Sequence, residues 1–186
     1  MEVEQKLKKE LSHLEDYVVL AKVSSKNYQD VNIRIIKHLI GVDNTPGVYV
    51  TLNKPYNTLK DIFLREKINS KMVIFIDAVT RTQESKISRT KECMYIGSPE
   101  KLSDISLAMD QAVRAIPSNK KFLFFDSLST LLIYNKPGTI IKFIHFIATK
   151  MREWKVIGII ISLEKESNKE LMDKLIQFCD TSIDFG

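Results

Sequence analysis

The feature that most constrains this chain is a series of short apolar runs that alternate with amphipathic segments. The runs are rich in Val, Ile and Phe, which favours strands, and their continuous apolar character indicates strands buried on both faces. This alternation predicts an α/β fold with a mostly parallel sheet that is covered by helices on both faces. The predicted strands are Tyr17–Val23, Gly47–Leu52, Met72–Asp77, Met94–Ile96, Lys121–Asp126, Val156–Ser162 and Thr181–Asp184.

The segments between the runs have the apolar spacing of helices. In one of them Val31, Ile35 and Leu39 recur every four residues, and Gly41 follows, as glycine often does where a helix ends. The charged stretch from Thr80 to Glu92 interrupts the alternation and predicts an exposed loop. The predicted helices cover residues 2–14, 27–40, 58–68, 102–116, 139–154 and 169–178.

Length and composition are those of one globular domain. The chain has 186 residues, of which 44% are hydrophobic and 27% are charged, and this excludes a disordered or collagen-like chain. We predict a single domain over residues 1–186, with the helix within residues 1–15 appended to it. The net charge of +5 is a mild basic excess that is typical of a solvated, lysine-rich surface.

The cysteines and the apolar runs favour a cytoplasmic protein. Cys93 and Cys179 lie far apart and lack the spacing of metal ligands, so reduced thiols are expected. The longest apolar stretch, Val156–Leu163, is too short for a membrane span of about 20 residues, and the first residues are charged. We expect no membrane association and no bound metal.

The most specific local feature is the apolar strand Phe122–Asp126, which ends in an acid and is followed by Ser127. Parallel strands of an α/β fold meet ligands at their carboxyl ends. In a P-loop enzyme, an Asp at this position orients the Mg²⁺ that is bound to nucleotide phosphates. A strand-terminal Asp also serves as a cap for the next helix, so the pattern alone leaves both interpretations open.

The order of these features resembles that of the RecA/KaiC-type ATPases, and most of all their KaiC-like branch. The resemblance runs from about Tyr17 to Phe185. It implies a RecA-like three-layer α/β/α fold with a mostly parallel central sheet, ATP at the carboxyl edge of the strands, and frequently a ring of subunits. Four stretches carry it: Val48–Thr51, Phe75–Val79, Ser98–Ser106 and Phe124–Leu131.

The chain departs from this family first at the phosphate-binding loop. The family has Gly-x-x-x-x-Gly-Lys-Ser/Thr between its first strand and helix, and the glycines let backbone N–H groups surround the phosphates. Residues 23–30 read Val-Ser-Ser-Lys-Asn-Tyr-Gln-Asp and include no glycine. The residual candidates for nucleotide binding are Ser25, Lys26, Asp126 and Ser127.

Two further departures concern other steps of hydrolysis. The family usually has one or two Glu after its second strand to activate water, whereas this chain has Asn53 and Lys54. The family also continues past its last strand into a basic hairpin that contacts the neighbouring subunit, and no such hairpin follows Phe185. Loss at three separate steps predicts that hydrolysis has been abandoned.

The helix over residues 139–154 is apolar around most of its circumference. A surface helix normally has one apolar stripe, so this helix is either enclosed within the domain or faces a partner. The candidate interface residues are Ile141, Ile144 and Ala148, and the apolar run Leu131–Tyr134 lies just before them. Self-association would cover such a surface.

The remaining charged residues give weaker signals. His13, His38 and His145 fall on three different predicted helices and do not have zinc-binding spacing. The stretch that contains Arg81, Lys86, Arg89 and Lys91 fits a solvated loop, or alternatively a contact with nucleic acid.

The sequence therefore predicts a catalytically inactive RecA/KaiC-like domain with a regulatory, signalling or scaffold role. The expected partners are a second copy of the chain, an active relative or a signalling protein, and no cofactor is expected. One alternative is an ATP-binding or ATP-hydrolysing protein with an unusual site for ATP and Mg²⁺. A second alternative is a nucleic-acid-binding module.

Overall fold

Within the residues that the structure describes, eight strands form one sheet through the centre of the molecule. The computed structural model describes residues 3–11, 16–42, 44–80, 88–163 and 169–186. The strands are β1 (Val18–Val23), β2 (Gly47–Thr51), β3 (Val73–Asp77), β4 (Ser88–Arg89), β5 (Cys93–Tyr95), β6 (Phe122–Asp126), β7 (Ile157–Leu163) and β8 (Thr181–Asp184).

Their order across the sheet is β4-β5-β3-β2-β6-β7-β1-β8. Every neighbouring pair is parallel except β4 and β5, which are antiparallel. The four central strands β3, β2, β6 and β7 are buried along nearly their whole length, as their continuous apolar character predicts. The mostly parallel sheet is thus confirmed.

The helices form a layer on each face of this sheet. They are α1 (Val3–Leu11), α2 (Tyr28–Lys37), α3 (Tyr56–Arg65), α4 (Leu102–Ala115), α5 (Leu128–Tyr134), α6 (Pro137–Glu153) and α7 (Lys169–Ile176). Helices α1, α2 and α3 pack on one face around Phe63, Phe75 and Phe124. Helices α4 to α7 pack on the other face around Phe125 and Ile160. The predicted three-layer arrangement is confirmed.

Three details differ from the prediction. Helix α2 ends in a π-helical turn, His38–Val42, so the chain leaves the helix less sharply than Gly41 suggested. Within the predicted exposed loop 80–92, β4 pairs with β5, while residues 81–87 lie outside the described residues. Helix α5 was not predicted, because seven residues give too few turns for an apolar period to stand out.

None of the helices in the described ranges has both the length and the apolar character that crossing a bilayer requires.

Candidate functional site

Asp126 is the last residue of β6 and lies at the carboxyl edge near the middle of the sheet. Its register partner on β2 is Thr51, and its side chain is only 2% exposed. A buried carboxylate costs several kcal/mol unless donors surround it. The identity of those donors therefore decides what this residue does.

Three side chains of the protein itself donate to this carboxylate. The Tyr28 hydroxyl, from the first residue of α2, donates to Oδ1. The Tyr49 hydroxyl, from β2, donates to Oδ2 at 2.7 Å. The Asn53 amide donates to Oδ1 at 3.1 Å. Both carboxylate oxygens of Asp126 are thus occupied by partners from two neighbouring elements.

The electrostatics follow from this enclosure. Burial raises the pKa of Asp126, and the hydrogen bonds from Tyr28 and Tyr49 offset only part of that rise. Burial, and next the negative charge of Asp126, raise the pKa values of Tyr28 and Tyr49 well above that of a free phenol. Both tyrosines therefore remain protonated and act as donors near neutral pH.

Asn53 connects this carboxylate to the start of α5. Its amide nitrogen lies 2.6 Å from the Tyr28 hydroxyl and 3.2 Å from Ser127 Oγ. Its side-chain oxygen accepts a hydrogen bond from Thr130 Oγ1. Ser127 is fully buried and also lies 3.3 Å from Thr130. Asn53 thus occupies the position at which the family that the sequence resembles has a water-activating acid. Here it connects Asp126 with Ser127 and Thr130 through hydrogen bonds.

The turn between β1 and α2 does not form a phosphate cradle. It is four residues long and is closed by the Asn27 N–H, which donates to the Ser24 carbonyl at 3.1 Å. All four residues have negative φ values, so the left-handed conformations that direct successive N–H groups inward are missing from the turn. Ser25 and Lys26 are both exposed on it.

Of the four candidate nucleotide-binding residues, the fold joins only two into one network. Asp126 and Ser127 share Asn53 as a partner, whereas neither Ser25 nor Lys26 is a hydrogen-bond partner of Asp126. Tyr28, two residues beyond Lys26, reaches Asp126 instead.

Lys54 lies beside this network rather than beside an acidic base. Its ammonium is 3.4 Å from Gln29 Oε1 and 5.2 Å from the centre of the Tyr28 ring, in cation–π geometry. The segment that follows β2 therefore contributes an amide and a cation to this edge. Neither group accepts a proton from water at neutral pH.

The three residues chosen as an interface on α6 do not lie on its outer side. Ile144 and Ala148 are fully buried in the core, and Ile141 is half-buried and packs against the same core. This corrects the choice of residues: α6 packs its apolar side against the sheet and the neighbouring helices, and its exposed side is mostly polar. Phe146 is the large apolar side chain that α6 does expose.

The basic stretch of residues 81–91 is only partly described. Arg81 and Lys86 lie outside the described residues, Arg89 belongs to β4, and Lys91 is exposed. Among the residues that the structure describes, no three His, Cys, Asp or Glu side chains group closely enough to hold a metal ion.

Sequence reasoning missed Tyr28, Tyr49 and Thr130 as members of the site. One signal was available: Tyr49 lies in a strand that is buried on both faces, and a buried tyrosine hydroxyl needs a partner. Tyr28 gave no such signal, because it begins an amphipathic helix and its partner is 98 residues away.

Comparisons with known proteins support the architecture. A family model described as a family of unknown function (DUF7504) matches residues 23–185. A KaiC-like protein from the hyperthermophilic archaeon Pyrococcus horikoshii OT3 has a similar structure, with a TM-score of 0.65 and 14% identity over 91% of this chain and 72% of that one. No curated protein matches the chain. At this identity the likeness shows the fold, which is RecA-like.

Proposed function

We propose that this chain, which belongs to the family of unknown function DUF7504, is a RecA-like domain that does not hydrolyse ATP and that acts by associating with other proteins. Its role would be regulatory, signalling or structural.

The observation that carries this proposal is the occupancy of the Asp126 carboxylate. An Asp that orients Mg²⁺ has to direct an oxygen toward the metal or its bound water. Here Tyr28 and Tyr49 each take one oxygen, and only 2% of the residue is exposed. Binding a hydrated cation at Asp126 would require breaking the contact with Tyr28 and rehydrating a buried carboxylate.

Two neighbouring features support the same conclusion. The short turn Ser24–Asn27 offers no inward-facing set of N–H groups for phosphates. After β2, Asn53 and Lys54 supply no general base for water. Phosphate binding, metal orientation and water activation would each need a rearrangement, and each contributes several kcal/mol in working phosphoryl-transfer sites.

The association part of the proposal rests on the helical layer formed by α4, α5 and α6. This layer carries most of the large apolar side chains that the described residues expose, and their exposed fractions are 44% to 78%. They are Leu107, Ile133, Tyr134 and Phe146. We call these four residues the apolar face. Large apolar side chains exposed on one helical layer are the residues that a protein partner would remove from water, so they favour a role in binding proteins.

The test is calorimetric titration of the protein with Mg-ATP and with ADP, together with a phosphate-release assay. We expect no saturable heat at millimolar nucleotide and no release above the uncatalysed background. Hydrolysis that is abolished by Asp126→Ala but retained by Asp61→Ala, a change at an exposed Asp of α3, would overturn the proposal.

Saturable nucleotide binding without hydrolysis would favour the alternative of a nucleotide-binding protein with an unusual site. The exposed Lys26 at the β1–α2 turn is the observation that favours this second candidate, because it leaves a cation beside the start of a helix. Binding of that kind should weaken in Lys26→Ala.

A further inference from the structure

Helix α1 is held on the domain by a single apolar stripe. Val3, Leu7 and Leu11 recur every four residues, and all three are buried in the core that lies under α1, α2 and α3. An isolated helix of fewer than about 12 residues is marginal at best in water, and α1 has nine. The helical state of α1 therefore depends on the surface that this stripe covers.

That surface is formed by α2 and by the end of β8. Glu4 lies 3.5 Å from Arg34 of α2. Lys6 donates to the backbone carbonyl of Asp184 at 2.5 Å, and its ammonium lies 5.8 Å from the centre of the Phe185 ring. This surface thus presents a cation to the acid of α1, and a carbonyl oxygen and an aromatic ring to its lysine. We call four of its residues the α1 groove: Val31, Arg34, Asp184 and Phe185.

The fit between α1 and this groove is incomplete. A cavity of about 490 Å³ remains between α1 and α2, and Val3, Val31 and Phe185 are part of its lining. The Oε2 atom of Glu4 is buried, yet it accepts no hydrogen bond from the residues that the structure describes. A buried oxygen without a donor carries a desolvation cost, which is relieved when α1 leaves the groove. Both features weaken the docking of α1.

The family match separates α1 from the groove. The DUF7504 model matches residues 23–185, which include α2 and β8 and exclude α1. This favours the interpretation of α1 as a segment added over a groove of the matched domain.

We propose that the α1 groove binds an amphipathic helix of a partner protein, and that α1 is its competitor within the same chain. The inference rests on the role in association proposed above and names one surface for it. The chemistry of α1 defines the partner helix: apolar residues at every fourth position, an acid just after the first of them to meet Arg34, and a cation just before the second to meet the Asp184 carbonyl. Helices with such a stripe bind in apolar grooves through residues spaced by about one turn. A competitor within one chain acts at an effective concentration that reaches the millimolar range, so α1 sets a threshold for partner binding.

The test uses a fluorescein-labelled peptide with the sequence of residues 1–14 as the partner helix and measures its binding by anisotropy. The receptors are three chains of all 186 residues: the parent, Leu7→Glu, which weakens the docking of α1 on its own chain, and the matched control Leu64→Glu. Leu64 is an exposed leucine of α3 outside the α1 groove, so the control makes the same substitution without changing the groove.

We expect the Leu7→Glu chain to bind the peptide at least tenfold more tightly than the parent, because its groove is open for a larger fraction of the time. The Leu64→Glu chain should bind the peptide as weakly as the parent does. A peptide that itself carries Leu7→Glu should bind none of the three chains. Urea denaturation should show that all three chains are folded.

A charge exchange locates the contact and decides the question if Leu7→Glu unfolds. Arg34→Glu repels Glu4 of its own α1, so this chain should bind a Glu4→Arg peptide about fivefold more tightly than the unchanged peptide. Chains that keep Arg34 should show the reverse order of the two peptides.

Three outcomes would contradict the proposal. In the first, neither the Leu7→Glu chain nor the Arg34→Glu chain binds its peptide. In the second, all chains bind the peptide equally, which assigns the binding to another surface. In the third, light scattering shows parent dimers that Leu7→Glu dissociates and Leu64→Glu does not, which makes the occupant α1 of a second copy. The nucleotide titration concerns a different site, so ATP hydrolysis by a chain that binds the peptide as expected would overturn only the proposed loss of activity.

Discussion

Two strand-terminal aspartates of this protein have the same local sequence pattern and different surroundings. Asp77 at the end of β3 accepts hydrogen bonds from the backbone N–H groups of Val79 and Thr80, within its own turn, and from that of Tyr56. Asp126 instead depends on side chains from α2 and β2. One carboxylate caps mainly its own turn, whereas the other ties three elements together.

This difference predicts a pH dependence of stability that belongs to Asp126. Because burial raises the pKa of Asp126 in the folded protein, the folded state holds this proton at pH values where the unfolded chain has released it. The free energy of unfolding should therefore be highest below the ordinary aspartate pKa of about 4 and should fall as pH rises through the raised pKa. Urea denaturation from about pH 4 to pH 8 measures this contribution.

The variant Asp126→Asn cannot titrate, so it should lose this contribution, while Asp61→Asn on the surface of α3 should keep the pH profile of the parent. An identical profile in all three proteins would contradict the prediction. Asp126→Ala should lower the free energy of unfolding at every pH, by about 3 kcal/mol, because it removes the carboxylate that accepts from the Tyr28 and Tyr49 hydroxyls.

At the scale of elements, the pairing of β2 with β6 depends on a glycine. A Cβ atom at Gly47 would lie 2.4 Å from the ring of Phe122, which is itself fully buried. The ring has no room to move, since its side of the sheet is covered by α1 to α3. The absence of a side chain at Gly47 therefore lets the large Phe122 ring pack over the start of β2.

We predict that Gly47→Ala lowers the free energy of unfolding by about 2 to 3 kcal/mol, the usual cost of overpacking a core. Gly138→Ala is the control: it lies in the first turn of α6, where an added Cβ would have no neighbouring atom within 4 Å, and it should be neutral or stabilising by up to about 1 kcal/mol. Urea denaturation of both variants measures the contrast. Equal changes in the free energy of unfolding for the two variants would mean that contact with the Phe122 ring does not cause the destabilisation expected for Gly47→Ala.

Helix α2 is the element on which the candidate site depends most. In the family that the sequence resembles, the helix after the first strand directs its N-terminus at phosphates. Here α2 begins with Tyr28, whose hydroxyl extends to Asp126. The alternation of strands and helices predicted this helix, but no periodicity could predict the direction of its first side chain.

At the scale of the whole molecule, exposed apolar side chains are distributed unequally between the two helical layers. The apolar face on α4, α5 and α6 has four such residues, whereas among the described residues of the other layer only Leu64 is both large and exposed. We expect a second copy of the chain to cover the apolar face, because a partner packed on this layer would remove several large apolar side chains from water at once.

Ile133→Ser combined with Tyr134→Ser should therefore reduce the mass in solution to that of a monomer. Leu64→Ser, which changes a side chain as exposed as Ile133 (78%) on the opposite layer, should leave the mass unchanged. Light scattering after size-exclusion chromatography over a range of concentrations measures both. A parent protein that is monomeric at every concentration would contradict the expectation, as would an equal effect of the two changes.

The amino-acid sequence by itself determined the layers of this protein, because burial on both faces of a strand requires a continuous apolar run and each such run is visible locally. It also located Asp126 at the end of a central strand and indicated that the β1–α2 turn lacks glycine. Only the tertiary structure decided what Asp126 contacts. Its partners Tyr28, Tyr49 and Asn53 lie 98, 77 and 73 residues away along the chain. The same holds for α6. The sequence shows that Ile144 and Ala148 are apolar, but the packing of the layers determined that they face inward. A side chain's neighbours across such distances follow from how the layers pack, and no pattern along the chain contains them.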